Sequence, residues 1–293
     1  MGILFDITHT TTYRYKNPVA FGEHRVMFRP RDSHDMRVLA TNLEVDPPAR
    51  HVRLIQDVYS NSVAIVQPVE QASSLSFVCT FTVEHMGSRA LDLPIEEHAR
   101  TYPFSYDDEE RIALQHYLQP FYPEEDEVIR QWASRFTSGS EHPDTRMVLL
   151  QMNQAIREEM RYEPRDAEGV QTPAETIQAA KGTCRDFATL MIEAVRQLGY
   201  AARFVSGYIH SPHLQSSSGA THAWLQVYLP GSGWIPFDPT NNLAGGTSLI
   251  RVGVARHASL AVPLQGIWTG APADFIGMTV DVQVRKRTGT SST

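Results

Sequence analysis

Three side chains that could form a nucleophilic site lie at the ends of predicted secondary-structure elements. Cys184 opens a predicted helix, His222 lies in an apolar strand further along the chain, and Asp238 ends the next strand. A thiol attacks as the thiolate, a form favoured by the unpaired N–H groups at a helix N-terminus. An imidazole can take the thiol proton, and a carboxylate can fix the imidazole tautomer. The order therefore predicts a nucleophile, a base and an orienting carboxylate.

The residues around Cys184 predict how the thiol is presented. Thr183 and Asp186 form a Thr-x-x-acid pattern, which is typical of a cap at the start of a helix. The helix would then run from Cys184 to Gly199 with one apolar face. A carboxylate disfavours a nearby thiolate, so we interpret Asp186 as part of the cap. Arg185 would add positive charge near the thiol if it points inward.

A tight turn predicts that His222 and Asp238 come together. The strand from Thr221 to Leu229 is followed by Pro230-Gly231-Ser232-Gly233 and by a second strand that ends at Asp238. Antiparallel pairing of the two strands would bring the carboxylate to the imidazole. In the first strand, we expect His222 to share a face with Trp224 and Gln226, and the opposite face to be core.

A thiolate that attacks a carbonyl also needs donors for the oxyanion that forms. The backbone N–H of Cys184 is one candidate, and Tyr162 or Gln171 could supply the second. Each residue of the site also has a simpler interpretation taken alone. A cysteine at a helix start can be structural, a strand histidine can be a surface residue, and Asp before Pro commonly opens a turn. The convergence of all three favours chemistry.

Other clusters give weaker signals. His210 and His213 flank a proline in a loop but lack further metal ligands nearby, so no metal site is predicted. Acidic runs at 107–110 and 124–127 are interpreted as solvated helix starts, because they lack the alternating ligand spacing of a calcium loop. Cys79 lies in an alternating strand pattern and is predicted to fill a core position.

Composition excludes several classes of protein. The chain has 293 residues, 42% of them hydrophobic, and a formal net charge of −7 without a basic stripe, so we expect no nucleic-acid partner. No apolar run approaches the ~20 residues of a membrane span. Two cysteines do not make a disulfide framework, and no export signal is visible, so we expect a cytoplasmic protein without a cofactor. The oligomeric state stays open.

The hydrophobic pattern changes along the chain and predicts an α+β protein. Residues 1–87 alternate like half-buried strands and predict an antiparallel β-sandwich-like domain. Residues 88–242 carry helical patterns over 107–119, 123–136, from 144 onward, 172–182 and 184–199, then strands over 202–209, 221–229 and 234–238. Residues 243–293 are predicted to form a C-terminal extension with a last strand over 278–284 and a polar tail.

Four motifs together resemble the bacterial transglutaminase-like superfamily. They are Gly182-x-Cys184-Arg185-Asp186-Phe187-Ala188, Ala202-Arg203-Phe204-Val205-Ser206-Gly207-Tyr208, Thr221-His222-Ala223-Trp224 and Phe237-Asp238-Pro239-Thr240. The resemblance implies a papain-like core in which Cys184 is the nucleophile, His222 the base and Asp238 the orienting residue. Residues 1–87 resemble the β-rich domain often joined to such cores. Around Arg256 to Leu260 the pattern departs, since His257 and Ala258 replace an acid and an aromatic residue.

The resemblance implies acyl transfer from a peptide or protein amide through a thioester. An amine acceptor would give transamidation and water would give hydrolysis, and no calcium requirement is apparent. Hydrolysis is favoured slightly, because a cross-linking enzyme in the cytoplasm would endanger its own cell. A binding or scaffold module on an inactive fold is the alternative, and acetyl transfer from a coenzyme A thioester is a third. The sequence leaves open whether the loop Leu214 to Gly219 gates the cleft.

Overall fold

A computed structural model describes residues 2–69, 71–87, 94–165, 169–210 and 221–287. These residues form five α-helices and fourteen strands. The helices are α1 (Asp108–Leu118), α2 (Asp126–Ser134), α3 (Thr145–Glu159), α4 (Pro173–Ala179) and α5 (Cys184–Gln197). The strands are β1 (Ile3–Val26), β2 (Met36–Asp46), β3 (His51–Gln56), β4 (Ser62–Gln67), β5 (Gln71–His85), β6 (Arg161–Tyr162), β7 (Lys181–Gly182), β8 (Ala202–Ile209), β9 (His222–Leu229), β10 (Gly233–Asp238), β11 (Leu243–Ala244), β12 (Leu249–Ala255), β13 (Leu264–Thr269) and β14 (Phe275–Lys286).

The N-terminal domain is a curled antiparallel sheet built around β1, which has 24 residues. The first half of β1 pairs with β5 and β14, and its second half pairs with β4 and β13. The pairing with β5 is broken between Arg14 and Val19, where the strand changes layer. Because β2 joins β5 and β3 joins β4, two layers face each other. The predicted antiparallel, sandwich-like architecture is confirmed.

The second domain packs helix α5 on one face of a five-stranded antiparallel sheet with the order β11-β10-β9-β8-β12. Helix α5 contacts β9 and β8 and is surrounded by α2 and α4. Its side chains are buried from Asp186 to Arg196, so the helix is a central element of the core. This arrangement confirms the predicted α+β class with a helix packed on an antiparallel sheet.

The two sheets share one hydrophobic core. At their junction, His9 of β1 lies 2.8 Å from the Tyr208 hydroxyl of β8, and the Tyr208 ring also packs on Phe81. The amide of Asn61 bonds both the carbonyl and the N–H of Val254 on β12, at 2.7 and 2.8 Å. The N-terminal domain is therefore fastened to the far edge of the core sheet.

Two stretches differ from the predicted elements. The helix predicted over 123–136 begins with a 3-10 turn at Pro123–Glu125, and α2 follows at Asp126. The stretch 241–265, predicted to be irregular, contains β11, β12 and the start of β13. Strand β12 extends the core sheet, whereas β13 and β14 pair with β1. The domain boundaries at 87 and 242 stay predictions, since the strands after residue 242 are divided between the two sheets.

Candidate active site

Cys184 is the first residue of α5, and its side chain is almost buried, with 9% exposed. The turn that presents it is held by Asp186, whose Oδ2 accepts hydrogen bonds from the Thr183 N–H (2.7 Å) and hydroxyl (2.9 Å). Because the Thr183 hydroxyl donates to the carboxylate, the turn is ordered by the other bond of the predicted cap, which joins the Thr183 N–H to the Asp186 carboxylate. Asp186 lies in the cap, as the sequence predicts.

The other oxygen of Asp186 anchors the preceding loop. Oδ1 accepts from the backbone N–H of Gln171 at 2.7 Å and from the guanidinium of Arg165 at 3.0 Å. The carboxylate is fully buried, whereas Arg165 is 26% exposed. A buried carboxylate needs this many donors to offset its lost hydration. Its charge is therefore engaged by the loop and the cap, which limits its opposition to a thiolate at Cys184.

His222 and Asp238 meet at neighbouring ends of β9 and β10. Nε2 of His222 donates to Oδ2 of Asp238 over 2.8 Å, and the two side chains are 3% and 0% exposed. The side chain of Cys184 lies close enough to the same imidazole to raise its pKa. Because Asp238 engages Nε2, Nδ1 is the ring atom left for the thiol. The structure thus brings the three predicted site residues together, with His222 hydrogen-bonded to Asp238 and close to Cys184.

Comparisons with known proteins agree with this architecture. Residues 130–239 match the model of the transglutaminase-like superfamily, and residues 5–84 match that of the bacterial transglutaminase-like N-terminal region. The chain belongs to the transglutaminase-like superfamily. This is a family of thiol-dependent enzymes, and two of its recognised regions lie here in one chain.

The similar proteins include uncharacterised mycobacterial ones and one solved structure of the same fold. A Mycobacterium leprae (strain TN) protein is 25% identical over 287 residues, covering 94% of this chain and 97% of its own. A Mycobacterium tuberculosis H37Rv protein is 27% identical over 296 residues, covering 95% and 92%. The crystal structure of "a putative cysteine protease" from Cytophaga hutchinsonii has a TM-score of 0.75 at 20% identity, covering 99% and 92%. That similarity shows a common fold.

The electrostatics of this transglutaminase-like site favour a charged imidazole. Burial by itself lowers the pKa of His222, but the Asp238 carboxylate and the Cys184 side chain outweigh it and raise the pKa above its ordinary value. Protonated His222 is the counter-ion that a thiolate requires. The surroundings of the ring therefore favour its protonated form.

Asn241 is a residue of the site that the sequence did not indicate. Its Nδ2 donates to Oδ2 of Asp238 at 2.8 Å and lies 3.5 Å from Nε2 of His222. The backbone N–H of Thr240 donates to the other oxygen of Asp238 at 3.0 Å. These bonds hold the carboxylate in its contact with His222. The usable signal was the Asp-Pro-Thr-Asn turn, since a turn after Asp238 returns the next side chains toward it.

The turn after Asp238 is itself anchored from helix α3. The buried amide of Asn153 donates to the Asn242 side chain at 2.9 Å and lies 3.4 Å from the carbonyl of Leu243. Asn242 is in the left-handed region, with φ of 53°, a conformation that asparagine tolerates better than most residues. The orientation of the carboxylate thus depends on contacts reaching back to α3.

Both faces of β9 are buried, so the face that His222 shares with Trp224 and Gln226 lies in the interior together with the predicted core face. One face contacts α5, and Trp224 on the other packs with Val205 and Val254 in a second apolar cluster. The Trp224 ring also lies nearly parallel to His222, with centroids 5.9 Å apart and planes at 26°. The imidazole is therefore confined between the carboxylate and an aromatic wall.

The two candidates for a second oxyanion donor are placed differently. The backbone N–H of Gln171 is used by Asp186, and its side-chain Oε1 is buried with no hydrogen-bond partner in the described part of the chain. Tyr162 packs edge-on toward Phe187 of α5, with ring centroids 6.5 Å apart. A role for either residue stays a prediction.

Of the other residues singled out in the sequence, the structure describes His257 and Cys79 but not His213. His257 hydrogen-bonds Tyr122 at 2.9 Å and stacks on Phe121 at 3.8 Å between ring centroids. Cys79 is buried in the N-terminal core, as predicted. His213 and the loop Leu214 to Gly219 lie outside the described residues. In the ranges that are described, no helix is long and apolar enough to cross a bilayer, and no three metal-ligating side chains converge.

Proposed function

We propose that this protein catalyses thiol-dependent acyl transfer or hydrolysis of peptide-like amides, with Cys184 as nucleophile, His222 as base and Asp238 as orienting residue. The observation that carries the proposal is the buried pair in which Asp238 engages Nε2 of His222, with the Cys184 side chain beside the same ring. The place of Cys184 at the N-terminus of a 14-residue helix adds an electric field that favours a thiolate.

The proposed reaction begins with attack of the Cys184 sulfur on the carbonyl carbon of the amide. The carbonyl π electrons move to oxygen, and in this proposal the backbone N–H of Cys184 at the helix start donates to that oxyanion. Collapse of the tetrahedral intermediate breaks the C–N bond, and the imidazolium of His222 gives its proton to the leaving nitrogen. A thioester on Cys184 and a free amine or ammonia result.

The second half of the reaction regenerates the thiolate. Neutral His222 removes a proton from water or from an amine, which attacks the thioester carbonyl and expels the sulfur. Water gives a carboxylic acid, and an amine gives a new amide. A cytoplasmic location stays a prediction from the sequence, and hydrolysis is the outcome that such a location favours.

Alkylation of the two cysteines provides the test, because Cys79 is a control within the same chain. Cys79 is 1% exposed, and burial raises its pKa to about 12, so it should resist iodoacetamide in the folded protein. We expect Cys184 to react at pH 6 at least ~10-fold faster than a small free thiol, since a free thiol is almost wholly protonated there. Peptide mass spectrometry over pH 5.5–8 distinguishes the two sites.

Two variants distinguish activation of the Cys184 thiol by His222 from simple access of the reagent to that thiol. His222→Gln should reduce alkylation of Cys184 to the rate of a free thiol or below, whereas His51→Gln, on exposed β3, should leave it unchanged. Release of ammonia or amine from glutamine-containing peptides should be lost in Cys184→Ala. Cys184 alkylation no faster than a free thiol would contradict the nucleophile assignment. If Cys184 is reactive but wild type and Cys184→Ala behave identically on all amides, the result favours a binding module.

A further inference from the structure

A cavity of about 160 Å³ opens between the two layers of the N-terminal sandwich, remote in sequence from the residues of the candidate active site. One wall comes from β2 and β5, and the other comes from β3, β4 and the end of β1. The walls are mainly apolar and are formed by Val26, Phe28, Leu43, Leu54, Ala64 and Cys79. Strands β2 and β3 are the two ends of the strand order β2-β5-β1-β4-β3, and the cavity opens beside the exposed Leu54 of β3.

Small side chains at inward-facing positions create the space. Cys79 lies between Phe77 and Phe81 on the buried face of β5, and Ala64 pairs with Val26 and Leu54 across the opposite layer. A phenylalanine at either position would fill the gap. Leu54 remains 63% exposed at the mouth, although its neighbours are apolar. An exposed leucine beside an apolar cavity is a surface that gains from being covered.

Among the described residues that line the cavity, one carries a charge. Arg29 follows β1, and its buried Nε has no hydrogen-bond partner among the residues that the structure describes. None of the described residues that line the cavity is a carboxylate. A buried N–H of a charged group without a partner costs free energy, and an anion in the cavity would offset that cost. The Cys79 thiol stays neutral because burial raises its pKa to about 12, so it would not repel an anion.

We propose that this cavity binds a small carboxylic acid with an apolar body of about six to eight carbons. The size follows from comparison with an apolar cavity of ~150 Å³, which holds benzene. The charge follows from Arg29, because a single guanidinium forms a two-pronged hydrogen bond with a single carboxylate. A doubly charged phosphate would leave one charge unmatched between apolar walls.

Calorimetric titration with benzoate and with benzyl alcohol, which has the same ring but no charge, tests the proposal. Wild type should bind benzoate with a dissociation constant of ~1 mM or below and benzyl alcohol more weakly. Arg29→Gln should weaken benzoate binding about 10-fold without affecting benzyl alcohol, since a charge-assisted bidentate bond is lost. Arg53→Gln is the matched control, because it removes an exposed charge from β3 beside Leu54 without altering the cavity lining.

Filling the cavity gives an independent outcome. Ala64→Phe should abolish binding of both ligands, and its thermal unfolding should be measured alongside. If that variant fails to fold, methyl resonances of Leu43 and Leu54 in wild type can locate benzoate directly by their chemical-shift changes. The proposal is overturned if benzoate does not bind wild type below 10 mM, or if Arg29→Gln binds it as wild type does. It is also overturned if the shifted methyl groups lie elsewhere.

Discussion

Acid should weaken this fold through His9, which lies at the junction of the two sheets. The ring is 1% exposed, hydrogen-bonds the hydroxyls of Tyr208 and Thr11, and stacks on Phe28 with centroids 3.8 Å apart. Burial lowers the pKa of His9 to about 4, and the more distant Asp281 only partly opposes that effect. The native state therefore holds this imidazole neutral where an exposed one would be charged.

The sign and size of this effect on the free energy of unfolding follow from the pKa of His9 in the unfolded and in the folded chain. The histidine pKa is about 6.5 in the unfolded chain and about 4 in the folded one. Between these values the unfolded state binds more protons, so the free energy of unfolding falls as pH falls. The contribution of neutral His9 is complete above pH 6.5. Since one pKa unit corresponds to 1.36 kcal/mol, the loss at pH 4.5 is ~2.5 kcal/mol.

Urea unfolding of wild type and His9→Gln at pH 7.5, 6.0, 5.0 and 4.5 measures this contribution. Other buried histidines contribute to the wild-type slope, but the difference between the two proteins isolates His9. We expect that difference to shrink by ~2.5 kcal/mol between pH 7.5 and 4.5. His51→Gln, at an exposed position on β3, should give a constant difference. A constant difference for His9→Gln as well would refute the reasoning.

Two further predictions concern a buried ion pair and the carboxylate of the candidate site. Glu193→Gln should lower the free energy of unfolding by ~3–5 kcal/mol, because it strands the fully buried Arg196, whereas Glu159→Gln breaks an exposed pair and should cost under ~1 kcal/mol. Equal losses in urea titrations would contradict this contrast. Asn241→Ala removes a donor to the site carboxylate and should slow Cys184 alkylation at pH 6 up to ~10-fold with little loss of stability. An unchanged rate would rule out a positioning role.

The elements that carry strong hydrophobic periods could be predicted from the sequence. Helix α5 combines a cap pattern, an apolar face and a glycine stop, and the structure places its start at Cys184 as predicted. Strand alternation likewise indicated the N-terminal sandwich and the pairing of β9 with β10. Because β9 and β10 are joined by a short turn, the meeting of His222 with Asp238 followed from local information.

What could not be predicted depends on distant partners. Strands β12 and β13 lie in a stretch rich in glycine and short of alternation, and they are ordered by β8 and β1 rather than by their own pattern. Burial of both faces of β9 needs a cluster brought in by β12, which a single strand pattern does not contain. Asn241 lies in the site because of a turn whose shape depends on Asn153 of α3.

The pairing of β1 with β14 has a consequence for how the molecule is made. Phe5 lies opposite Lys286, and Arg287 forms an ion pair with Asp6, so the first strand is completed by nearly the last described residues. During synthesis one side of β1 stays unpaired until β14 has left the ribosome, after all the helices of the second domain. Contacts of such high sequence separation make for slow folding. An unpaired strand of this length is also the segment most prone to aggregate in the nascent chain.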